Sequence, residues 1–203
     1  MSRNPSADLA RRVAASPRWR RLGIAAQPLI LPTTYAALAD VLGPVLADET
    51  ADAVLMIGVA GRSKQVRIER RALNRTSLLL PDAAGRRPAA LTLGGGPRAR
   101  HLSASPVRLR ALLQRHGIPC GISQDAGRYL CNAAYYQALA SSLPVLFIHI
   151  PKPRPATPAR RSGGLSRRLP WGDALAAALV DVAALTLRSE LTRVPVAGPG
   201  RAD

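Results

Sequence analysis

Aromatic residues make up only 3% of this 203-residue chain, and Phe147 is its one phenylalanine. With 47% hydrophobic residues, the core must therefore be aliphatic, built from Ala, Leu, Val and Ile. The same shortage leaves little aromatic surface for stacking nucleic-acid bases. Cysteine is scarce: Cys120 and Cys131 are the only two. That is too few for a disulfide framework and fits a reducing, cytoplasmic setting. No run of about 18 apolar residues occurs, which excludes a membrane-spanning helix. The opening residues MSRNPSADLARRV have no apolar centre and do not read as a secretory signal.

Lysine is nearly absent as well, with only Lys64 and Lys152, yet the net charge is +17. A balance this basic normally points to nucleic acid or an anionic surface. Here the arginines run from Arg3 to Arg201, with local clusters at Arg18-Arg20-Arg21 and Arg160–Arg168. No interleaved aromatics and no recognisable reading motif accompany them. Arginine in place of lysine, together with heavy Ala, Leu, Gly and Pro usage, is what GC-rich coding produces. The expectation is no nucleic-acid partner and no membrane association.

At this length one domain is expected. Ser6 is a candidate cap for an amphipathic helix over Ala7–Ala15, which Pro17 ends. Gly23–Ala26 and Leu29–Leu31 read as short strand pieces split by Pro28. Tyr35–Leu46 has a helical stripe of Leu38, Val41, Leu42 and Val45. Ala53–Val59 is a continuous apolar run, suiting a parallel strand buried on both faces. Gln65–Ala72 alternates, with Val66 and Ile68 inward and Glu69 beside them. Asn74–Pro97 is loop-like; its Gly94-Gly95-Gly96 lacks the Lys-Ser/Thr pair of a phosphate loop. Pro106 suits the first turn of a helix over Val107–His116. Ile118–Ser123 and Val145–Ile150 are apolar strands. Pro151–Pro170 is rich in Pro, Arg, Gly and Ser and reads as a mobile loop; Trp171–Leu191 is a long closing helix. Strands alternating with helices predict a three-layer α/β/α sandwich around a mostly parallel sheet, in which the helix between Ser123 and Pro144 crosses over between two parallel neighbours.

The stretch Gly117–Gln137 carries the chemistry. Strand Ile118–Ser123 leads through a polar turn into a helix whose first turn holds Cys131, with Ser123 or Asp125 as candidate cap. Unpaired amides and the helix dipole there stabilise a thiolate. His149 ends a buried apolar strand and so needs a hydrogen-bond partner; Glu69 follows strand Ala53–Val59 and is a candidate partner. In parallel α/β sheets, sites gather at the carboxyl ends of strands. A thiol, an imidazole and a carboxylate brought together would form a nucleophile, a base and an orienting acid.

The local motifs are Ser123-x-x-Ala126-Gly127-x-x-x-Cys131-Asn132, then Phe147-Ile148-His149-Ile150-Pro151, with Ile68-Glu69-Arg70-x-Ala72-x-Asn74 upstream. Lesser matches are Leu31-Pro32, Gly58-Val59-Ala60-Gly61-Arg62 and Leu80-Pro81-Asp82. From about Asn4 to Pro151 this resembles pyroglutamyl peptidase I, the pyrrolidone-carboxylate peptidase family. The resemblance implies a single-domain cysteine exopeptidase that removes an N-terminal pyroglutamyl residue from peptides. It implies Cys131 as nucleophile, His149 as base and acid, Glu69 as the orienting residue, and Leu80, Tyr129 and Leu130 in the lactam pocket. It implies no metal or cofactor, and homo-oligomeric assembly.

The sequence departs from the family in two places. Leu79 stands where many relatives carry an arginine. The family's opening strand and Phe-rich loop have no counterpart before Asn4-Pro5-Ser6, so the first strand of the sheet is expected to be missing. The expectation is that Met1 is internal to a longer natural protein. The alternative is a shortened, inactive relative that serves as a binding or scaffold protein.

Overall fold

The computed structural model describes residues 4–48, 50–152 and 172–191. Pro151–Pro170, apart from its first two residues, lies outside them.

Helix α1 (Pro5–Ala14) begins earlier than the apolar pattern suggests. Its cap is Asn4, whose side chain accepts from the Ser6 amide at 3.1 Å, with Pro5 in the first turn. Ser6 is therefore inside the helix. Beyond Pro17 the chain makes one more turn, α2 (Arg18–Arg21), because the Trp19 ring is buried and its indole N–H donates to the Val13 carbonyl at 2.7 Å. Gly23–Ala26 and Leu29–Leu31 are not strands. Pro28 and Pro32 interrupt them and they meet no sheet edge, leaving Leu29 and Ile30 exposed. The expected helix over Tyr35–Leu46 splits into a π-helical turn, Leu38–Leu42, and α3 (Gly43–Ala47). Pro44 has no N–H and its ring crowds the carbonyl four residues back, so the regular ladder cannot run through.

The central sheet has four strands, β1 (Val54–Ala60), β2 (Val66–Glu69), β5 (Cys120–Ser123) and β6 (Val145–Pro151), in the order β1-β6-β2-β5. β1 pairs parallel with β6, β2 parallel with β5, and β2 antiparallel with β6. The sheet is thus mostly parallel, as expected, but the crossover expectation is not met. The strands either side of Pro144 and Ser123, β5 and β6, are neither neighbours nor parallel, because β2 lies between them. β1 is at the sheet edge and mostly half-buried rather than buried on both faces, while β6 is buried throughout. A second, two-stranded ladder pairs β3 (Arg71–Leu73) with β4 (Ala99–His101), a strand without apolar alternation.

Alternate residues face opposite sides of a strand, which sorts the core into two layers. Val66, Ile68, Leu146, Ile148 and Ile150 face helices α1, α4 (Pro106–Arg115) and α6 (Asp173–Leu191), with Leu9, Val13, Leu109, Leu113, Leu175, Leu179 and Val182 packed on them. Val145 and Phe147 face the other way, toward α5 (Leu130–Ala138), with Tyr135, Tyr136, Met56 and Leu46. The α1/α4/α6 layer is aliphatic apart from Trp19 and Cys120, whereas the α5 layer holds the other aromatic residues of the core. Among the described residues no helix is long and apolar enough to cross a membrane.

Candidate active site

β2 and β6 meet in antiparallel register, with Arg67 opposite His149 and Ile68 opposite Ile148. The strand period then places Arg67, Glu69, Phe147 and His149 on the α5 side of the sheet. Glu69 is wholly buried and accepts a hydrogen bond from His149 Nδ1 at 2.8 Å on Oε1. His149 is itself buried, its ring 4.4 Å from that of Phe147, which packs edge-on against Tyr135. The Tyr135 hydroxyl donates to the Glu69 carbonyl at 2.9 Å. A wall of aromatic rings thus fixes the imidazole from behind while the carboxylate fixes it from the side.

Cys131 is the second residue of α5 and is half-buried. The cap position is Tyr129, with no side-chain cap hydrogen bond, so neither Ser123 nor Asp125 caps α5. Asp125 instead accepts from the Gly127 amide at 2.8 Å, within the turn that leads into the helix. First-turn amides have no intrahelical acceptor, so they remain donors toward any oxygen placed there. Cys131 is close enough to His149 to act on its imidazole. With Nδ1 committed to Glu69, Nε2 is the nitrogen left for the sulfur. Burial works against a charged His149, but hydrogen bonding to Glu69 and Cys131 and their negative charge outweigh it, pushing the imidazole up to about 9. The carboxylate singled out from the sequence therefore bonds the imidazole, and the thiol lies near it.

The residues implied for a lactam pocket lie in two places. The Tyr129 hydroxyl donates to the Pro81 carbonyl at 2.8 Å, and its ring meets Tyr35 edge-on at 6.1 Å. This ties the residue two before Cys131 to the segment that carries Leu80, which is half exposed. Asp82 holds that segment through hydrogen bonds from the Tyr35, Ala84 and Arg86 amides. Its carboxyl sits below its ordinary range, chiefly through the Tyr35 amide. Leu130 is buried in the first turn of α5. Leu79 projects into solvent, 80% exposed.

Two supporting residues lie in the quoted motifs, but the sequence alone assigns them no role. Asn132 is wholly buried; it accepts from the Leu73 amide at 2.8 Å and donates to the carbonyls of Leu73 at 2.8 Å and Arg75 at 2.9 Å. It clamps the helix that carries Cys131 to β3. Asn132→Ala strands these backbone groups and is expected to cost about 2–4 kcal/mol, read from the denaturant midpoint. Gly58 lies opposite His149 in the β1–β6 register. A Cβ there would sit 2.9 Å from both His149 Cδ2 and Phe147 Cζ and 3.0 Å from His149 Nε2. Gly58→Ala is therefore expected to displace the imidazole and lower kcat about 100-fold, with KM little changed in steady-state kinetics. A glycine inside an apolar strand, signalling close approach, is the clue the sequence offers.

A half-buried thiol near an imidazole that a buried carboxylate holds, on an α/β sandwich, is the arrangement of a thiol hydrolase. The sequence model of the family described as pyroglutamyl peptidase matches residues 4–179. The pyrrolidone-carboxylate peptidase of Gloeobacter violaceus is 36% identical over 155 residues, covering 73% of this chain and 74% of its own. That of Thermococcus kodakarensis is 31% identical over 141 residues, 62% of this chain and 68% of its own. Among solved structures, Bacillus amyloliquefaciens pyroglutamyl peptidase I superposes with a TM-score of 0.71 at 26% identity, over 92% of this chain and 90% of its own. The Thermus thermophilus pyrrolidone carboxyl peptidase gives 0.67 at 28%, over 92% and 93%. The chain belongs to the pyroglutamyl peptidase family.

Proposed function

We propose that this chain, as one peptidase domain, hydrolyses the amide bond after an N-terminal pyroglutamyl residue of peptides, with Cys131 as nucleophile. The hydrogen bond of His149 to Glu69 at 2.8 Å, with Cys131 near enough to act on the same imidazole, carries this reading. The Cys131 thiolate adds to the pyroglutamyl carbonyl, and the oxygen takes up the negative charge. The first-turn amides of α5, that of Cys131 among them, donate to that oxygen. The imidazolium of His149 passes its proton to the amine nitrogen, the C–N bond breaks, and a thioester with Cys131 remains. Water then gives a proton to the neutral His149 and adds to the thioester; the C–S bond breaks, releasing pyroglutamate and the thiolate. Glu69 holds Nδ1–H throughout, so Nε2 always faces the reaction.

A pyroglutamyl residue has no charged amino group, and its ring is apolar apart from one amide. Leu80, Tyr129 and Leu130 are the side chains proposed to receive it. An inactive binding relative is not favoured, since Cys131, His149 and Glu69 are all retained and gathered in one place. Release of pyroglutamate from a chromogenic pyroglutamyl amide tests the reading. The expected result is turnover of that amide and none of the matching prolyl amide, whose ring nitrogen is charged. Equal turnover of both, or of neither, would reject it.

A further inference from the structure

We infer that Arg67 is a positioning residue for the reaction, acting on Cys131 and His149 through Glu69; this rests on the peptidase reading above. Arg67 Nη2 lies 3.1 Å from Glu69 Oε1, the same oxygen that accepts from His149. That nitrogen also donates to the Ser123 hydroxyl and, at 2.6 Å, to the Asp125 carbonyl. Both belong to the end of β5 and the turn that leads into α5. A single guanidinium thus joins the orienting carboxylate to the segment that delivers the nucleophile.

The electrostatics give this contact a consequence beyond tethering. Arg67 and His149 are directly opposite on neighbouring strands, where two cations repel. Glu69 Oε1 between them makes the pairing stable. Glu69 Oε2 is buried with no partner among the described residues, so Oε1 carries both contacts. With a thiolate on Cys131 and an imidazolium on His149, the site then holds two positive and two negative groups. Without Arg67 it holds a net negative charge, and a thiolate forms there less readily.

The other groups facing this centre do not replace that charge. From α5 come Cys131 and Tyr135, whose hydroxyl burial and Glu69 keep protonated well above its usual range. β1 presents Gly58. From β5 and its turn come the Ser123 hydroxyl and Asp125, whose carboxylate is bonded to the Gly127 amide. β2 supplies only Arg67 and Glu69.

The test is the rate of Cys131 alkylation by iodoacetamide at neutral pH, located by peptide mapping, in the wild type, Arg67→Met and Arg67→Lys. In Arg67→Met the rate should fall about tenfold. Arg67→Lys, which keeps the charge, should restore most of it. If Arg67→Met does not fold, Arg67→Gln keeps donors for the turn without the charge and takes the same reading. An unchanged rate in the uncharged variant reduces Arg67 to a structural tether and overturns the inference. A wild-type rate no different from that of a free thiol would overturn the peptidase reading itself, a separate outcome.

Discussion

Cys131→Ala is expected to lower hydrolysis of a pyroglutamyl amide by about 100,000-fold or more, to the limit of a chromogenic assay. In the proposed mechanism alanine removes the atom that forms the acyl-enzyme, while leaving α5, its Asn132 clamp and the His149–Glu69 pair in place. KM-type binding should survive, because the pocket residues are untouched. The chain supplies its own control. Cys120 is the other cysteine; it is buried in β5, its thiol pointing to the Arg110 carbonyl at 3.6 Å, and burial pushes it above its usual value. Cys120→Ala is therefore expected to leave kcat unchanged. Comparable rates in Cys131→Ala and wild type would remove the thiol from the reaction.

Glu69→Gln is expected to lower kcat about 1,000- to 10,000-fold and to move the alkaline limb of the rate profile downward. The sign follows from the contacts. In the proposed mechanism imidazolium protonates the leaving amine, and His149 keeps its proton up to about 9 because Cys131 and Glu69 outweigh its burial. Activity therefore falls as pH rises through that value. Glutamine keeps the size of the side chain but withdraws the negative charge, so His149 loses its proton at lower pH. The substituted amide can also present its N–H₂ to Nδ1, which favours the wrong tautomer. The measurement is the bell-shaped pH dependence of kcat/KM. An alkaline limb that stays in place would separate Glu69 from the imidazole and contradict the account.

Local chemistry is legible in the sequence where a residue's role is set by its neighbours in the chain. Cys131 at the start of a helix after an apolar strand, and His149 in a buried strand that demands a partner, both follow from short stretches. What the sequence conceals depends on which strands meet. β2 inserts between β5 and β6, and only that placement brings Arg67 opposite His149 and Glu69 diagonal to it. Arg67 is invisible among so many arginines, since nothing local distinguishes it from a solvated one. The cap of α5 escapes a sequence reading for a related reason. Asp125 has the right chemistry for a cap, but the helix starts five residues later and its side chain closes the preceding turn instead. Gly58 shows the intermediate case. Its place in an apolar strand hints at close approach, but only the β1–β6 register says that His149 is what approaches.

The central claim is that Cys131 is the nucleophile of a site shaped for a pyroglutamyl group. Titration with pyroglutamyl chloromethyl ketone, followed by peptide mapping, tests it most directly. The account predicts that amidase activity disappears as one label per chain accumulates on Cys131, with Cys120 unmodified. Activity that persists in chains fully labelled at Cys131, or that is lost in step with a label on Cys120, would contradict it.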